Sequence, residues 1–171
     1  MELVYCRTKT VSIIADQVYT VKQALPKIAA YCAYQERSHV EVEEKLYGYG
    51  LDEDQVMEAI QWLREENFLN EERFARAYTR GKFNGNRWGK IKIRQGLRQK
   101  QITDRLADMA MEEIDTDEYY EVLKNLIRKK MDGLKETNHY KIRAKCFNYA
   151  AGKGFESSLI NEAISDLLAD R

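Results

Sequence analysis

An apolar pattern with the period of an α-helix recurs three times along this chain of 171 residues. The segments 41–46, 92–97 and 141–146 align with one another, and each ends in a residue on the predicted inner face. The copies lie about 50 residues apart, a spacing typical of helical repeats. Because a unit of this size buries its apolar faces poorly alone, neighbouring units are expected to stack. The sequence therefore predicts an all-α fold of three tandem three-helix repeats in an elongated, curved array.

Capping residues and glycines predict where the helices begin and end. Ser38 and Glu41 have the spacing of a capping box, in which each side chain satisfies a backbone N–H of the other residue. Helix ends are expected at the glycines, and the second helix of repeat 2 is expected to begin near Arg87. Residues 150–154 are interpreted as a short insertion before Phe155. The predicted N-caps are Ser38, Asp52, Asn70 and Thr103, and the terminating glycines are Gly48, Gly50, Gly81 and Gly85.

These patterns divide the chain into four parts. Repeat 1 is predicted over residues 24–69, repeat 2 over 70–115 and repeat 3 over 116–171. Pro26 is expected in the first turn of the first helix, where proline is tolerated. Residues 1–23 are predicted to form an extension outside the repeats. Short strands are favoured there by Val11, Ile13, Ile14, Val18, Tyr19 and Val21.

The composition gives little support to catalysis, to a bound metal or cofactor, or to a membrane location. His39 and His139 are the only histidines, and the three cysteines are widely spaced along the chain. No glycine-rich phosphate loop or nucleophile elbow occurs. No apolar run approaches the roughly 20 residues that span a bilayer, and the N-terminus lacks the pattern of a secretory signal. We expect a cytoplasmic, non-enzymatic interaction protein without metal or cofactor.

Positive charge is concentrated between Arg73 and Ile102, a segment that holds ten basic residues and no acidic residue. At 100° per residue, Arg87, Lys90, Arg94 and Arg98 would form one stripe, and Arg73, Arg76 and Arg80 another. One interpretation is that these cations pair with acidic residues of neighbouring repeats. The other is that they form a surface for an anionic partner. Trp88 has the same two interpretations, either core packing or part of a basic and aromatic binding cluster.

The order and spacing of several motifs resemble those of the RecX family, the regulators of the RecA recombinase. The resemblance extends over about residues 24–168. The sequence departs from the family pattern at Gln101, where a glycine is usual. This turn is therefore expected to adopt left-handed or altered geometry. The motifs are Arg37-Ser38-x-x-Glu41-Val42 with Leu46, Phe68-Leu69-Asn70-Glu71-x-x-Phe74-Ala75-x-x-Tyr78, and Gly89-Lys90-Ile91 with Leu97, Lys100 and Ile102.

This resemblance implies a partner and a role. RecX proteins bind in the helical groove of the RecA–DNA filament and inhibit its ATPase, strand-exchange and co-protease activities. It also implies a monomer, with no membrane contact, and leaves open non-specific binding to single- or double-stranded DNA. Together with the charge pattern, it predicts partner- or nucleic-acid-binding residues Arg73, Arg76, Arg80, Arg87, Trp88, Lys90, Lys92, Arg94, Arg98, Lys100, Lys141, Arg143 and Lys145.

Two other functions are compatible with a helical repeat. A direct DNA-binding regulator would use the second and third helices of a unit as a helix-turn-helix motif. The third helix of repeat 2, within residues 101–113, carries four acidic residues, and this argues against insertion into a DNA groove. A helical scaffold with no link to recombination is the third alternative.

Overall fold

The computed structural model describes residues 18–169, and within this range the chain forms nine α-helices and no strand. The helices group into three consecutive triplets, α1–α3, α4–α6 and α7–α9, here called repeats 1, 2 and 3. None of the helices in this range is long and apolar enough to cross a membrane. The helices are α1 Val21–Tyr34, α2 His39–Tyr47, α3 Glu53–Glu65, α4 Glu71–Asn86, α5 Lys90–Gln99, α6 Asp104–Met111, α7 Thr116–Asp132, α8 His139–Lys153 and α9 Ser157–Ala169.

The turn between the second and third helices is the same in all three repeats. Each turn contains one residue in the left-handed region: Gly50 with φ 81°, Gln101 with φ 58° and Gly154 with φ 89°. The next residue is buried in every case, and these residues are Leu51, Ile102 and Phe155. The left-handed geometry expected at Gln101 is therefore confirmed. This backbone conformation costs about 1 kcal/mol for a residue with a Cβ.

The predicted caps are present. The Ser38 hydroxyl accepts from the Glu41 N–H at 3.3 Å, and the Glu41 carboxylate accepts from the Ser38 N–H at 3.0 Å. Asp52 forms the equivalent pair with Gln55. The side chains of Asn70 and Thr103 accept from backbone N–H groups in the first turns of α4 and α6.

Several predicted boundaries are wrong. Helix α1 begins at Val21, so Pro26 lies inside the helix and not in its first turn. Helix α4 runs through Gly81 and Gly85, because its apolar face is buried in the core and outweighs the cost of two exposed glycines, about 1 kcal/mol each. Of the residues that favoured strands, Val18 and Tyr19 are not in a strand and Val21 is helical. The remaining three, Val11, Ile13 and Ile14, lie outside the described range.

The predicted insertion in repeat 3 is also helical. Residues 150–153 form the last turn of α8, and the helix ends where Gly154 turns left-handed. The insertion therefore lengthens α8 by about one turn of 3.6 residues and keeps the following turn intact.

The repeats are joined by two different kinds of junction. Repeats 2 and 3 share one apolar core, whereas repeat 1 has a separate core. Repeat 1 meets repeat 2 through ion pairs between Arg73 and Glu36 at 2.8 Å and between Lys100 and Glu41 at 2.9 Å.

Helix α8 caps α5 across the junction of repeats 2 and 3. The Gly89 N–H donates to the Lys153 carbonyl at 2.9 Å, and the Ile91 N–H donates to the Gly154 carbonyl at 3.1 Å. The Lys90 N–H donates to the hydroxyl of the buried Tyr119 at 3.0 Å. The first N–H groups of α5, which have no partner within their own helix, are thereby satisfied. These bonds fix the position of the α4–α5 loop against α8.

Candidate partner-binding surface

The twelve cations predicted to bind a partner separate into two groups. Seven of them form ion pairs with carboxylates of the chain itself, and five do not within residues 18–169. The paired cations are Arg73, Arg76, Arg80, Arg94, Arg98, Lys100 and Lys145. The interpretation that these cations pair with acids of neighbouring repeats holds for Arg73 and Lys100. The other paired members of the two stripes, Arg76, Arg80, Arg94 and Arg98, pair with acids of their own repeat.

Helix α6 neutralises much of the charge of α4 and α5. Glu113, which follows α6, pairs with Arg76 at 2.7 Å and Arg80 at 2.8 Å. On α6 itself, Asp108 pairs with Arg94, and Asp104 pairs with Arg98 at 2.9 Å. The spacing along the chain does not reveal these pairs, because they form only when α6 packs beside α4 and α5.

The α5–α6 pairs are exposed and weak. The side chains of Arg98 and Asp104 retain 59% and 62% of their exposure, and pairs of this kind contribute about 0–1 kcal/mol. The hydrogen bond from Arg98 lowers the pKa of Asp104. The acidic character of α6, noted in the sequence, thus has a structural role: it balances the cations of α5.

The ion pairs predict a loss of stability in acid. Hydrogen bonds from Arg80 and then Arg76 lower the pKa of Glu113. Because its pKa is lower in the folded chain, Glu113 binds protons more readily in the unfolded chain. The stabilisation by its ion pairs is therefore complete above the unfolded pKa of about 4.3 and is lost as the pH falls through the folded pKa. We expect the free energy of unfolding to fall below about pH 4.5, and Glu113→Gln to reduce this slope. Urea denaturation between pH 7 and 3.5 measures it.

A matched control is Glu58→Gln, at an exposed position of α3. It should retain the slope of the unchanged chain. Parallel curves for Glu113→Gln and the unchanged chain would contradict the assignment of this ion pair.

Several cations without a carboxylate partner lie at the junction of repeats 2 and 3. Lys82 and Lys92 both lie over the ring of Trp88, with Nζ to centroid distances of 5.0 and 4.8 Å. Trp88 is half-buried and packs on the shared core, as one of its two interpretations predicts, and the two lysines also place it in a basic and aromatic cluster. Its role in binding stays a prediction. The Lys92 ammonium also donates to the Gly152 carbonyl at 3.1 Å.

Arg87 is not part of the α5 stripe, because α5 begins three residues later. It follows the end of α4 with φ 53°, and its exposed side chain lines a cleft of about 440 Å³. Lys129 of α7 and Lys153 of α8 line the same cleft. The sequence pattern did not place these two lysines beside Arg87, because they belong to another repeat.

We define the junction cluster as these side chains at the meeting point of α4, α5, α7 and α8. It contains five cations and one aromatic ring, and within residues 18–169 none of its cations pairs with a carboxylate. Such a cluster attracts phosphates or protein acids. Its members are Lys82, Arg87, Trp88, Lys92, Lys129 and Lys153.

The other predicted cations lie apart from the junction cluster. Lys90 lies over the Tyr119 ring with its Nζ 5.0 Å from the centroid. Lys141 is exposed in the first turn of α8, twelve residues from Lys153 and so about 18 Å away along the helix. Arg143 donates to the Asn161 carbonyl and the Ser165 hydroxyl, and Lys145 pairs with Glu136 at 3.4 Å. Their role in binding stays a prediction.

Comparisons with known proteins identify the family. A family model described as RecX, second three-helix domain, matches residues 70–111, and one described as RecX, third three-helix domain, matches residues 117–164. Together they match more than half of the chain. This chain belongs to the RecX family. Every member of the junction cluster lies inside the two matched RecX domains.

Curated relatives and solved structures also support membership of the RecX family. The chain is 30% identical over 136 residues to the regulatory protein RecX of Clostridium perfringens (strain 13 / Type A), covering 77% of this chain and 62% of the relative. It is 28% identical to the regulatory protein RecX of Prosthecochloris aestuarii, covering 87% of this chain and 96% of the relative. The crystal structure of RecX from Lactobacillus salivarius superposes with a TM-score of 0.78 at 25% identity, covering 86% of this chain and 96% of that chain.

The length of the relatives differs from that of this chain. This chain spans about three fifths of the length of several curated Clostridium relatives that it matches. The names of these relatives describe regulatory proteins.

Within residues 18–169, no group of three or more histidine, cysteine or acidic side chains is placed to hold a metal ion.

Proposed function

We propose that this RecX chain binds the filament that the RecA recombinase forms on DNA and inhibits its ATPase, strand-exchange and co-protease activities. Membership of the RecX family supports the choice of partner. The junction cluster supports the mode of binding, because a nucleoprotein filament presents DNA phosphates and protein carboxylates to a cationic surface.

The observation that carries the proposal is the contrast between neutralised and available charge. The chain has 28 basic and 28 acidic residues, so its net charge attracts nothing by itself. Arg94 and Arg98 of α5 are offset by Asp108 and Asp104 of α6, whereas the cations of the junction cluster have no carboxylate partner within residues 18–169. Attraction to an anionic partner is therefore local, and it orients the chain with the junction of repeats 2 and 3 towards the filament.

The tandem arrangement supports binding to a helical assembly. Repeat 1 is joined to repeat 2 by ion pairs, and repeat 2 to repeat 3 by a shared core and backbone hydrogen bonds. A row of similar units would contact successive protomers of a filament. Each contact then raises the effective concentration for the next, so weak individual contacts give tight binding overall.

The helix-turn-helix alternative is disfavoured by the acidic helix α6. In repeat 2 this helix occupies the position of a DNA-recognition helix, and its Asp104 and Asp108 are exposed and pair with α5. A helix with this charge would be repelled by DNA phosphates.

The proposed function predicts inhibition below equimolar amounts. Adding this chain to RecA filaments on single-stranded DNA should lower the rate of ATP hydrolysis at sub-stoichiometric ratios, because one chain would block several protomers. A coupled ATPase assay with the recombinase of the same organism measures this rate.

The control is the same assay with heat-unfolded chain, which should leave the rate unchanged. An undiminished rate with the folded chain at equimolar ratio would contradict the proposed function.

A further inference from the structure

The cleft beside the junction cluster has the composition of a nucleotide-binding surface. It lies between the α4–α5 loop, helix α7 and the end of helix α8, and its volume is about 440 Å³. This is within the range of about 300–1,000 Å³ found for sites that hold small molecules or groups of similar size. Its lining residues are Arg87, Val122, Asn125, Leu126, Lys129, Tyr149 and Lys153.

Three cations converge on this cleft, and no acidic residue lines it. Arg87 and Lys129 are exposed, and neither side chain has a hydrogen-bond or ion-pair partner within residues 18–169. The Lys153 ammonium donates only to a backbone carbonyl, that of Asn86, at 3.3 Å. Lys129 and Lys153 also stabilise the C-terminal ends of their helices. That role explains each lysine alone, but it does not require the arginine of another repeat beside them.

The cleft also offers an aromatic and apolar wall. Tyr149 is 39% exposed, so part of its ring is open to a ligand. Lys130 lies with its Nζ 5.2 Å from the Tyr149 ring centroid and adds a fourth cation at the rim. Val122 and Leu126 are half-buried beside it, and Asn125 supplies an amide. Cations that follow a backbone, combined with an exposed ring, are the combination used to hold single-stranded nucleic acid.

The walls of the cleft are held in place without a ligand. Arg87 follows α4 with its N–H bonded to the Phe83 carbonyl at 3.0 Å, and the Gly89 N–H ties the same loop to Lys153. The loop therefore loses little freedom when an anion binds, which favours affinity.

We propose that this cleft binds single-stranded DNA, with backbone phosphates at Arg87, Lys129 and Lys153 and a base against Tyr149. A duplex fits less well, because its bases are stacked inside and cannot reach the Tyr149 ring. This inference deepens the proposed function, since it names the component of the filament that part of the junction cluster would touch. It needs no recombinase for its test, so the two proposals can fail separately.

The test is fluorescence anisotropy of a labelled oligothymidylate titrated with the full chain at several salt concentrations. Arg87→Gln/Lys129→Gln should weaken binding about tenfold and reduce the slope of log affinity against log salt by about 1.4, as expected for two lost phosphate contacts at about 0.7 each. Tyr149→Leu should weaken binding by about tenfold with the slope unchanged, and Tyr149→Phe should bind as the unchanged chain does.

A matched control is Lys22→Gln/Lys27→Gln, which removes the same charge from exposed positions of α1. It should retain the affinity and the slope, and thermal unfolding of every variant checks that it folds. The proposal is overturned by any of three results: no binding by the unchanged chain, equal binding by the Arg87 and Lys129 variant, or competition by free thymidine monophosphate at the concentrations where the oligonucleotide competes.

Discussion

Gly154→Ala is expected to lower the free energy of unfolding by about 3 kcal/mol. Gly154 has φ 89°, a conformation that residues with a Cβ rarely adopt. An added Cβ would also lie only 2.6 Å from the backbone nitrogen of Lys92 and against its Cβ. Backbone cannot move aside as a flexible side chain does, so α5 and α8 would have to separate. Equilibrium urea denaturation followed by circular dichroism measures the change.

The separation would have a second consequence. The Gly154 carbonyl accepts the N–H of Ile91, and the Lys153 carbonyl accepts the N–H of Gly89. Moving these groups apart would leave two N–H groups at the start of α5 without partners, each costing about 1–3 kcal/mol unless water reaches them.

The matched control is Gly152→Ala, two residues earlier and inside helix α8. A Cβ at Gly152 meets nothing within 4 Å, and alanine favours helix by about 1 kcal/mol relative to glycine. This variant should be as stable as the unchanged chain or slightly more stable. Equal loss of stability in both variants would show that the junction of repeats 2 and 3 does not pack as described.

Reversing two charges of the junction cluster is expected to weaken filament binding at least about tenfold. Lys82→Glu/Arg87→Glu replaces two cations, neither of which pairs with a carboxylate within residues 18–169, by anions that RecA–DNA filaments would repel. Both side chains lie outside the apolar core, so the fold should be retained. Anisotropy of the labelled chain titrated with filaments, held in the ATP-bound state by a slowly hydrolysed analogue, measures the dissociation constant.

Two controls separate local from overall charge. Lys22→Glu/Lys27→Glu changes the net charge by the same amount at exposed positions of α1 and should bind as the unchanged chain does. The exchange Arg98→Asp/Asp104→Arg keeps an exposed ion pair in reversed order and should have little effect. An equal loss of affinity for the two charge-reversal variants, with none for the exchange, would mean that only net charge matters.

The sequence predicted those features that depend on neighbouring residues. The capping pairs Ser38–Glu41 and Asp52–Gln55 lie three residues apart, so their spacing alone indicates their bonds. The left-handed turn at Gln101 was expected from the resemblance to the RecX family, in which a glycine is usual at this position.

Features that depend on tertiary packing could not be predicted. Arg94 and Asp108 are 14 residues apart, and Arg76 and Glu113 are 37 apart, so only the packing of α6 brings them together. The convergence of Arg87 with Lys129 and Lys153 also joins two repeats. The run of ten cations was therefore a correct observation, but it overstated the free charge on α5 and missed the cleft.

The most direct test of the account is a comparison of lysine reactivity in the free and filament-bound chain. Lysines would be acetylated under limiting reagent and quantified by mass spectrometry. If the junction cluster faces the filament, Lys82, Lys129 and Lys153 should lose most of their reactivity on binding, while the exposed Lys22 and Lys27 of α1 should keep theirs. Unchanged reactivity at the three junction lysines, with protection elsewhere, would show that a different surface binds.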